Sequence, residues 1–536
     1  MRMTNKIMQN NSLYNINNNK LLQDKLSTQM STQKKITRPS DDPVIAIRAL
    51  RLRTNVSELT QFYEKNAPDA ESWLDVTGKA LSTVSDVLKS LSVEANKADN
   101  KEKGVEDLQI ILEQVKSLKD EFYATANVDY AGRYVFTGYR TNTTLSFTET
   151  VEEQPKGYPK YEIKEQSKIG AFDRINYTYN AGLDGINQNN YADNKYGTQT
   201  EQDIKNGDIH RLRLSYDQLK SGADVKIELI GADGTTVSKT IAPDEEVSVN
   251  ANPDPYQKML DANAANPPES KVIFVPETGE ILFSDAAYSQ LEQDVTGIIG
   301  TETEIRVTYT KDEWKKGDLR PEHYFACVGT TKDAAGNEKE INYNQEYLTG
   351  TKKKQTIEYD VGYNQKIQVN TTADQIFTHG LDRDVDDLEN ALNDLSKINA
   401  SVKDMEKVLS DLAEKGVKEG EAEYTKVKNQ LDAVKKSYEY QRENVHTMYG
   451  KLITKAQQYM DDTNVAITDN GTRSQRLDLI GNRLMDQRTT FKTLQSENED
   501  ADIAEVAIQL TSAELTYNSA LMATGKIMQT SLMNYI

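Results

Sequence analysis

The sequence predicts an α+β protein: an elongated helical bundle or coiled coil made from both chain ends, with an inserted mainly β outer domain. Three observations carry this. Apolar residues recur at alternating three- and four-residue steps in residues 73–126 and again in 385–531, the spacing of helices that pack along seams. Between about 141 and 375, short β-branched and aromatic runs replace that spacing. Neither amphipathic half can cover its seam alone, so the two halves are expected side by side.

Residues 1–33 are rich in Asn, Gln, Lys and Ser, with a thin stripe of Ile7, Tyr14 and Leu21. Such a segment is expected to be disordered in the free monomer and to fold only against a partner. The stretch "KKITRPSDDPVIAIRALRLR" (34–53) then starts a helix. Asp42 is the N-cap and Pro43 the first helical residue, where a missing N–H costs nothing. Ser40 and Asp41 add acceptors at the positive end of the helix dipole. Arg48, Arg51 and Arg53 fall on the exposed side of an Ile45–Ala49–Leu52–Val56 stripe.

From Trp73 the seam sharpens through Leu74, Leu81, Val84, Leu88, Leu91 and Ala95. "NKADNKEKG" breaks it, and Val105, Leu108, Leu112, Val115, Phe122 and Ala126 resume it, which predicts a helical hairpin. The inserted region holds "VKIELIGADGTTVSKTI", "KVIFVPETGEILFS", "EIRVTYT" and "TIEYDVGYNQKIQVN", with turn residues at Asp233-Gly234 and at Glu277–Gly279. Helical seams return with Val385, Leu388, Leu392, Leu395, Val402, Leu409 and Leu412, broken by "EKGVKEGE". A second runs from Tyr424 to Leu452, and a third through Leu477, Ile480, Leu484, Gln487, Phe491 and Leu494. The cleanest is the last: Ile503, Val506, Leu510, Ala513, Tyr517, Ala520, Thr524, Ile527 and Ser531. An amphipathic stripe this close to a chain end needs a partner to bury it. Ile7, Tyr14 and Leu21 with Ile503, Val506, Leu510, Ala513, Tyr517, Ala520 and Ile527 are therefore the predicted assembly interface.

Composition narrows the function. A formal net charge of −20 argues against nucleic acid or an anionic membrane as partner, since both need a basic face. Hydrophobic content of 37% and aromatic content of 7% suit elongated helices better than a compact enzyme. The single cysteine, Cys327, cannot form an intrachain disulfide and reads as a small buried hydrophobe. The opening residues lack an apolar h-region, which predicts no cleaved secretory signal, and no apolar run is long enough to span a bilayer.

Catalytic chemistry finds little support. His210, His323, His379 and His446 stand in separate contexts and form no His-Glu-x-x-His. The acidic run Asp382, Asp384, Asp386 and Asp387 places Asp387 and Asn393 where a calcium loop needs Gly and Glu, so it reads as a negatively charged helix N-terminus. No catalytic, metal or cofactor site is expected, and the chain is not expected to be an enzyme.

Several stretches carry a resemblance. "MRMTNKIMQNNSLYNINNNKLLQDKLSTQMSTQKKITRPSDDPVIAIRALRLR", "ESWLDVTGKALSTVSDVL" and "GRYVFTGYRTNTTLSF" are similar to the N-terminal part of the flagellar hook-associated protein 3 family, the hook–filament junction members of the flagellin-like axial proteins. "NRLMDQRTTFKTLQSENEDADIAEVAIQLTSAELTYNSALMATGKIMQTSLMNYI" resembles that family's closing helices, and its final Leu532-Met533-Asn534-Tyr535-Ile536 separates it from flagellin. The resemblance covers roughly 1–140 and 376–536. It implies a flagellin-like fold with 1–40 and 500–536 as the two parts of an axial coiled-coil core. Residues 41–140 and 376–499 would form a helical shaft domain, and 141–375 the β outer domain.

The implied function is a structural adaptor of the bacterial flagellum that self-assembles into a ring. Its neighbours would be hook-associated protein 1 on the hook side and flagellin on the filament side. A flagellar export chaperone and the flagellar type III export apparatus would deliver it to the extracellular hook–filament junction. Flagellin itself, or a flagellar adhesin acting through the β insertion, is the alternative. Arg48, Arg51 and Arg53 would then be either intersubunit salt partners or simply solvated.

Overall fold

The computed structural model of the chain describes residues 5–197, 199–231, 234–299, 303–332, 336–349 and 355–529. Asp233 of the expected turn, Ser531 of the last seam and residues 532–536 lie outside them. Four helices open the described chain: α1 (Asn5–Thr32), α2 (Pro43–Gln61), α3 (Ala67–Ala98) and α4 (Val105–Thr125). Strands β1 (Asp129–Tyr130), β2 (Arg133–Tyr134), β3 (Lys160–Lys168), β4 (Phe172–Tyr179) and β5 (Lys205–Arg213) follow. Then come β6 (Lys226–Ile230), β7 (Val237–Ile241), β8 (Glu245–Glu246), α5 (Pro255–Ala264), β9 (Val272–Val275), β10 (Glu280–Phe283) and α6 (Asp285–Ile299). The insertion closes with β11 (Glu304–Lys311), β12 (Ala326–Lys332), β13 (Glu338–Tyr343), β14 (Glu358–Gly362) and β15 (Gln365–Gln368). Three helices complete the chain: α7 (Gly380–Glu414), α8 (Ala422–Glu499) and α9 (Ile503–Gln529). The fold is the expected α+β arrangement, with long helices from both ends of the described chain and strands between them in sequence.

The chain divides into two compact units. The first comprises Met1–Glu71, Tyr359–Ile367 and Ser474–Ile536, and the second Ser72–Glu358 with Gln368–Arg473.

In the second unit, the predicted helical hairpin is α3–α4, with Trp73, Leu74, Leu81, Val84, Leu88 and Leu91 fully buried. On α7 the seam drifts from its expected phase after Leu395. Ile398, Met405 and Val408 are buried, whereas Val402 and Leu409 are only half-buried. A straight helix turns 3.6 residues per turn, so a strict heptad reading slips with length.

A six-stranded antiparallel sheet, ordered β13-β12-β3-β11-β6-β7, shares one core with a five-stranded sheet, β4-β5-β10-β9-β8. Ile163, Ile227, Ile305 and Tyr309 of the first meet Leu212, Phe274, Ile281 and Phe283 of the second, around Trp314. The β9–β10 hairpin turns at Gly279, φ +60°, where a Cβ would lie 1.9 Å from the Tyr216 carbonyl oxygen. Cys327 of β12 is buried, and that burial pushes its thiol pKa up, as fits a packed hydrophobe. Helices α5 and α6, inside a region read as mostly β, have short apolar faces that periodicity alone did not separate from strands.

The acidic run at the start of α7 has more specific work than charging a helix terminus. Arg211 of β5 is bonded to Asp173 of β4 (2.7 Å), Glu280 of β10 (2.6 Å) and Asp387 (2.9 Å). Arg213 holds Asp384 at 2.6 Å and Asp387 at 2.8 Å, and Lys455 of α8 adds a second cation to Asp384 at 2.6 Å. Burial opposes ionisation of Asp387, but Arg211, Arg213 and Arg383 outweigh it and hold its carboxyl at about 2. The β insertion is thereby seated on α7 through a network of paired, mostly buried charges.

Candidate assembly surface

The first unit is built on α1 and α9, which pack against each other. Their shared core is small: Leu26, Val506 and Ala513, with Ala501 and Leu510 against it. Ala513 lets the two backbones approach closely. Residues 5–32, expected to be disordered in the monomer, are helical here because α9 supplies the apolar face that α1 lacks. The inward side of α1 is otherwise mostly polar, with Ser12, Asn19 and Gln23 half-buried beside Ile16 and Leu26.

The predicted interface residues divide between two faces. Val506 and Ala513 are buried, and Leu510, Tyr517 and Ala520 half-buried, on the side of α9 that carries the shared core. Ile7, Tyr14 and Leu21, spaced by seven on α1, point outward with 48%, 67% and 68% of their surface exposed. Ile503 is exposed as well, and the Ile527 side chain lies outside the described residues.

The sequence reading missed a second outward row. Ile508, Leu515 and Met522 also repeat every seven residues, on the side of α9 opposite the inner seam. They are 71%, 70% and 72% exposed. Their signal was present, as an α9 apolar on two sides, but the tidier three-four stripe drew attention away from it. Single exposed apolar residues are ordinary; ordered rows on both members of a helix pair are not.

The base of this helix pair is pinned. Two connectors run antiparallel: the Lys35 N–H donates to the Glu499 carbonyl (2.7 Å), and the Ala501 N–H to the Gln33 carbonyl (2.9 Å). Lys34 pairs with Asp500 and lies 3.7 Å from Glu499. Arg53 grips the buried Glu499 carboxylate with two hydrogen bonds, of 2.8 and 2.5 Å. That hydrogen-bonded guanidinium holds the Glu499 carboxyl below its ordinary range. Arg53 is thus paired within the chain, while 57% of its side-chain surface stays exposed to water.

Asp42 caps α2 as expected, accepting from the N–H groups of Val44 (2.9 Å) and Ile45 (3.2 Å). Asp41 instead turns back to accept from Thr37 (3.2 Å) and Arg38 (3.0 Å), folding the connector rather than serving the helix dipole. At the other connector, Asp502 caps α9 through the N–H groups of Ala504 and Glu505.

Known proteins share this region. Residues 3–141 match the bacterial flagellin N-terminal helical region. The matched stretch runs from α1 to α4, and includes the outward row of α1 and the connector with its Asp41 and Asp42 turns. Flagellar hook-associated protein 3 of Escherichia coli K12 is 27% identical over 194 residues, which are 36% of this chain and 60% of that protein. The protein of the same name from Salmonella typhimurium LT2 is 29% identical over 142 residues, 26% of this chain and 44% of its own. The chain therefore spans less than two thirds of the length of either relative. The crystal structure of flagellar hook-associated protein-3 from Legionella pneumophila aligns over 83% of this chain and 98% of its own, at 12% identity and a TM-score of 0.28.

Among the described residues, no group of three or more His, Cys, Asp and Glu side chains is placed to hold a metal ion. No described helix is long and apolar enough to cross a membrane. The half-buried His379 shares one hydrogen bond with the Tyr216 hydroxyl at 2.9 Å, and desolvation pushes its pKa down to about 3. That is a packing histidine.

Proposed function

We propose that the chain is a structural junction protein of the bacterial flagellum, an adaptor ring that connects the hook to the flagellin filament. The observation that carries this is the pair of outward apolar rows on a terminal helix pair whose first helix lies in the stretch that matches the flagellin N-terminal region. Burying a large apolar side chain contributes about 1.5–3 kcal/mol, and these rows gain it only when subunits meet. The names of the two curated relatives point to the same place on the flagellum.

In this reading residues 1–40 and 500–536 form the axial core, 41–140 and 376–499 the helical shaft, and 141–375 the outward β domain. Ile7, Tyr14, Leu21, Ile503 and Ile527 join the newly seen row of Ile508, Leu515 and Met522 at the subunit interface. Val506, Leu510, Ala513, Tyr517 and Ala520 hold the helix pair that presents it. Hook-associated protein 1 is the hook-side neighbour and flagellin the filament-side one. Export proceeds through the flagellar type III apparatus and a chaperone. No catalytic role is proposed.

Immunogold labelling of isolated flagella tests the reading. One band at the distal end of the hook is the expected result. Label along the whole filament makes the chain a flagellin, and absence of label from flagella removes the reading.

A further inference from the structure

A cavity of about 620 Å³ lies in the second unit between the β insertion and α7, and the function proposed above makes no use of it. Pockets of that size take small organic ligands. One wall is a single face of α7, where Asp386, Asn390, Asn393 and Lys397 follow at helical spacing. Tyr177 of β4 and Tyr256 of α5 also line it, stacked with ring centroids 5.2 Å apart. Both hydroxyls are committed inside the protein, Tyr177 donating to Asp254 and Tyr256 to Glu280, each at 2.7 Å. What the rings leave to the cavity is carbon surface.

The polar groups beside them are unfinished. Arg383 is only 4% exposed; its Nη2 donates to the Thr278 carbonyl, but its Nε has no hydrogen-bond partner among the described residues. Glu277 Oε2, on the β9–β10 turn, is buried and likewise without a partner. The Asp386 carboxylate accepts no hydrogen bond among the described residues, and Arg383 stands 3.8 Å from it. The exposed amides of Asn390 and Asn393 make none there either. Buried polar atoms are nearly always partnered, so an open donor and open acceptors on one cavity call for a polar occupant.

We infer that this cavity binds a small neutral carbohydrate. Sugar hydroxyls both donate and accept, which matches the Arg383 N–H, the Glu277 and Asp386 oxygens and the two amides. The apolar C–H faces of a sugar ring match the tyrosine carbon surface. Seven carboxylates against three cations line the cavity, so an acidic sugar is repelled. Most of those carboxylates already hold a cation: Asp217 has Lys315, Glu389 has Lys116 and Asp394 has Lys397. A cationic ligand therefore gains less here than the acidic count suggests. The inference does not rest on the junction reading, since each copy carries the cavity wherever it stands.

The test is saturation-transfer NMR on the full-length chain at neutral pH. The probes are lactose, maltose, cellobiose and diacetylchitobiose, with N-acetylneuraminic acid and spermidine as charged comparisons. Transfer to at least one of the neutral disaccharides, and none to N-acetylneuraminic acid, is the expected result. Asn390→Ala with Asn393→Ala removes two exposed amides, should leave melting unchanged, and should weaken that binding about tenfold. Glu277→Gln, which removes an open carboxylate from a turn, should weaken it as well. Binding that neither variant changes places the sugar elsewhere and overturns the site. Equal transfer to N-acetylneuraminic acid overturns the charge argument. Transfer to spermidine alone overturns the carbohydrate in favour of an organic cation, and transfer to no probe leaves the cavity to water and overturns the proposal.

Discussion

Helices α1 and α9 are joined by a core of three buried side chains, Leu26, Val506 and Ala513, whereas β5 is joined to α7 by Arg211 and Arg213 on Asp384 and Asp387. The first junction leaves its largest apolar side chains facing solvent; the second leaves almost nothing unspent. A contact completed inside one chain resists rearrangement, because removing any member strands a buried charge. A contact left incomplete gains its main stabilisation on association. The contrast separates what the molecule fixes in advance from what it offers to neighbours.

The largest expected effect tests this with one substitution made in both regions. Arg211→Met keeps much of the side-chain stem but removes the cation from the buried Glu280 and one of two from Asp387, and should cost about 3–5 kcal/mol in denaturant unfolding of the second unit. Arg53→Met strands only Glu499, beside Lys34 and with Arg53 itself 57% exposed, and should cost about 1 kcal/mol or less. Equal costs would break the comparison.

Acid sharpens it next. Burial holds His379 at about 3 and His323 at about 4, below the ordinary histidine value. As pH falls from about 6.5 toward 4, the unfolded chain takes up protons at these positions and the folded chain does not, so stability falls. Asp387, held at about 2, adds a further loss only as pH drops below about 4. Thermal unfolding followed by near-ultraviolet circular dichroism should show a melting temperature that declines from neutral pH to pH 4. His379→Gln should flatten part of that decline. An unchanged profile in the variant would mean that His379 is not the group responsible.

Much of the fold was legible because helical spacing and turn chemistry are local. "NKADNKEKG" and "EKGVKEGE" mark the breaks between α3 and α4 and between α7 and α8, and Asp42-Pro43 marks the start of α2. What stayed hidden was which face of a helix its neighbour takes. The Ile7–Tyr14–Leu21 row was visible, but only the fold shows that α9 takes the opposite, polar side of α1. The buried seat of the insertion was hidden for a similar reason. Arg211 and Arg213 lie more than 160 residues from Asp384 and Asp387, and only strand register brings them together.

The inner face of the terminal pair should respond moderately. Leu510 packs against the shared core of α1 and α9, so Leu510→Asp places a carboxylate in a half-buried apolar site. The expected cost is about 1–2 kcal/mol to that helix pair. It would appear as lost helical signal and faster proteolytic trimming of the chain ends, with melting of the second unit unchanged. Loss of helical signal in the second unit as well would show that the two junctions are not independent.

The smallest effect on the monomer is the most telling. Leu515 lies on the opposite side of α9, 70% exposed, where a charge meets water and breaks no contact. Leu515→Asp should therefore leave monomer helicity and melting within about 0.5 kcal/mol of the unaltered chain. In an assembled axial core the same carboxylate would be desolvated without a partner, at a cost of several kcal/mol. The expected outcome is a normally folded and exported protein that fails to incorporate at the hook tip, so that flagellin is shed into the medium. Normal incorporation of Leu515→Asp would show that the outward row faces solvent in the assembly too, and the contrast between a finished and an unfinished junction would lose its functional meaning.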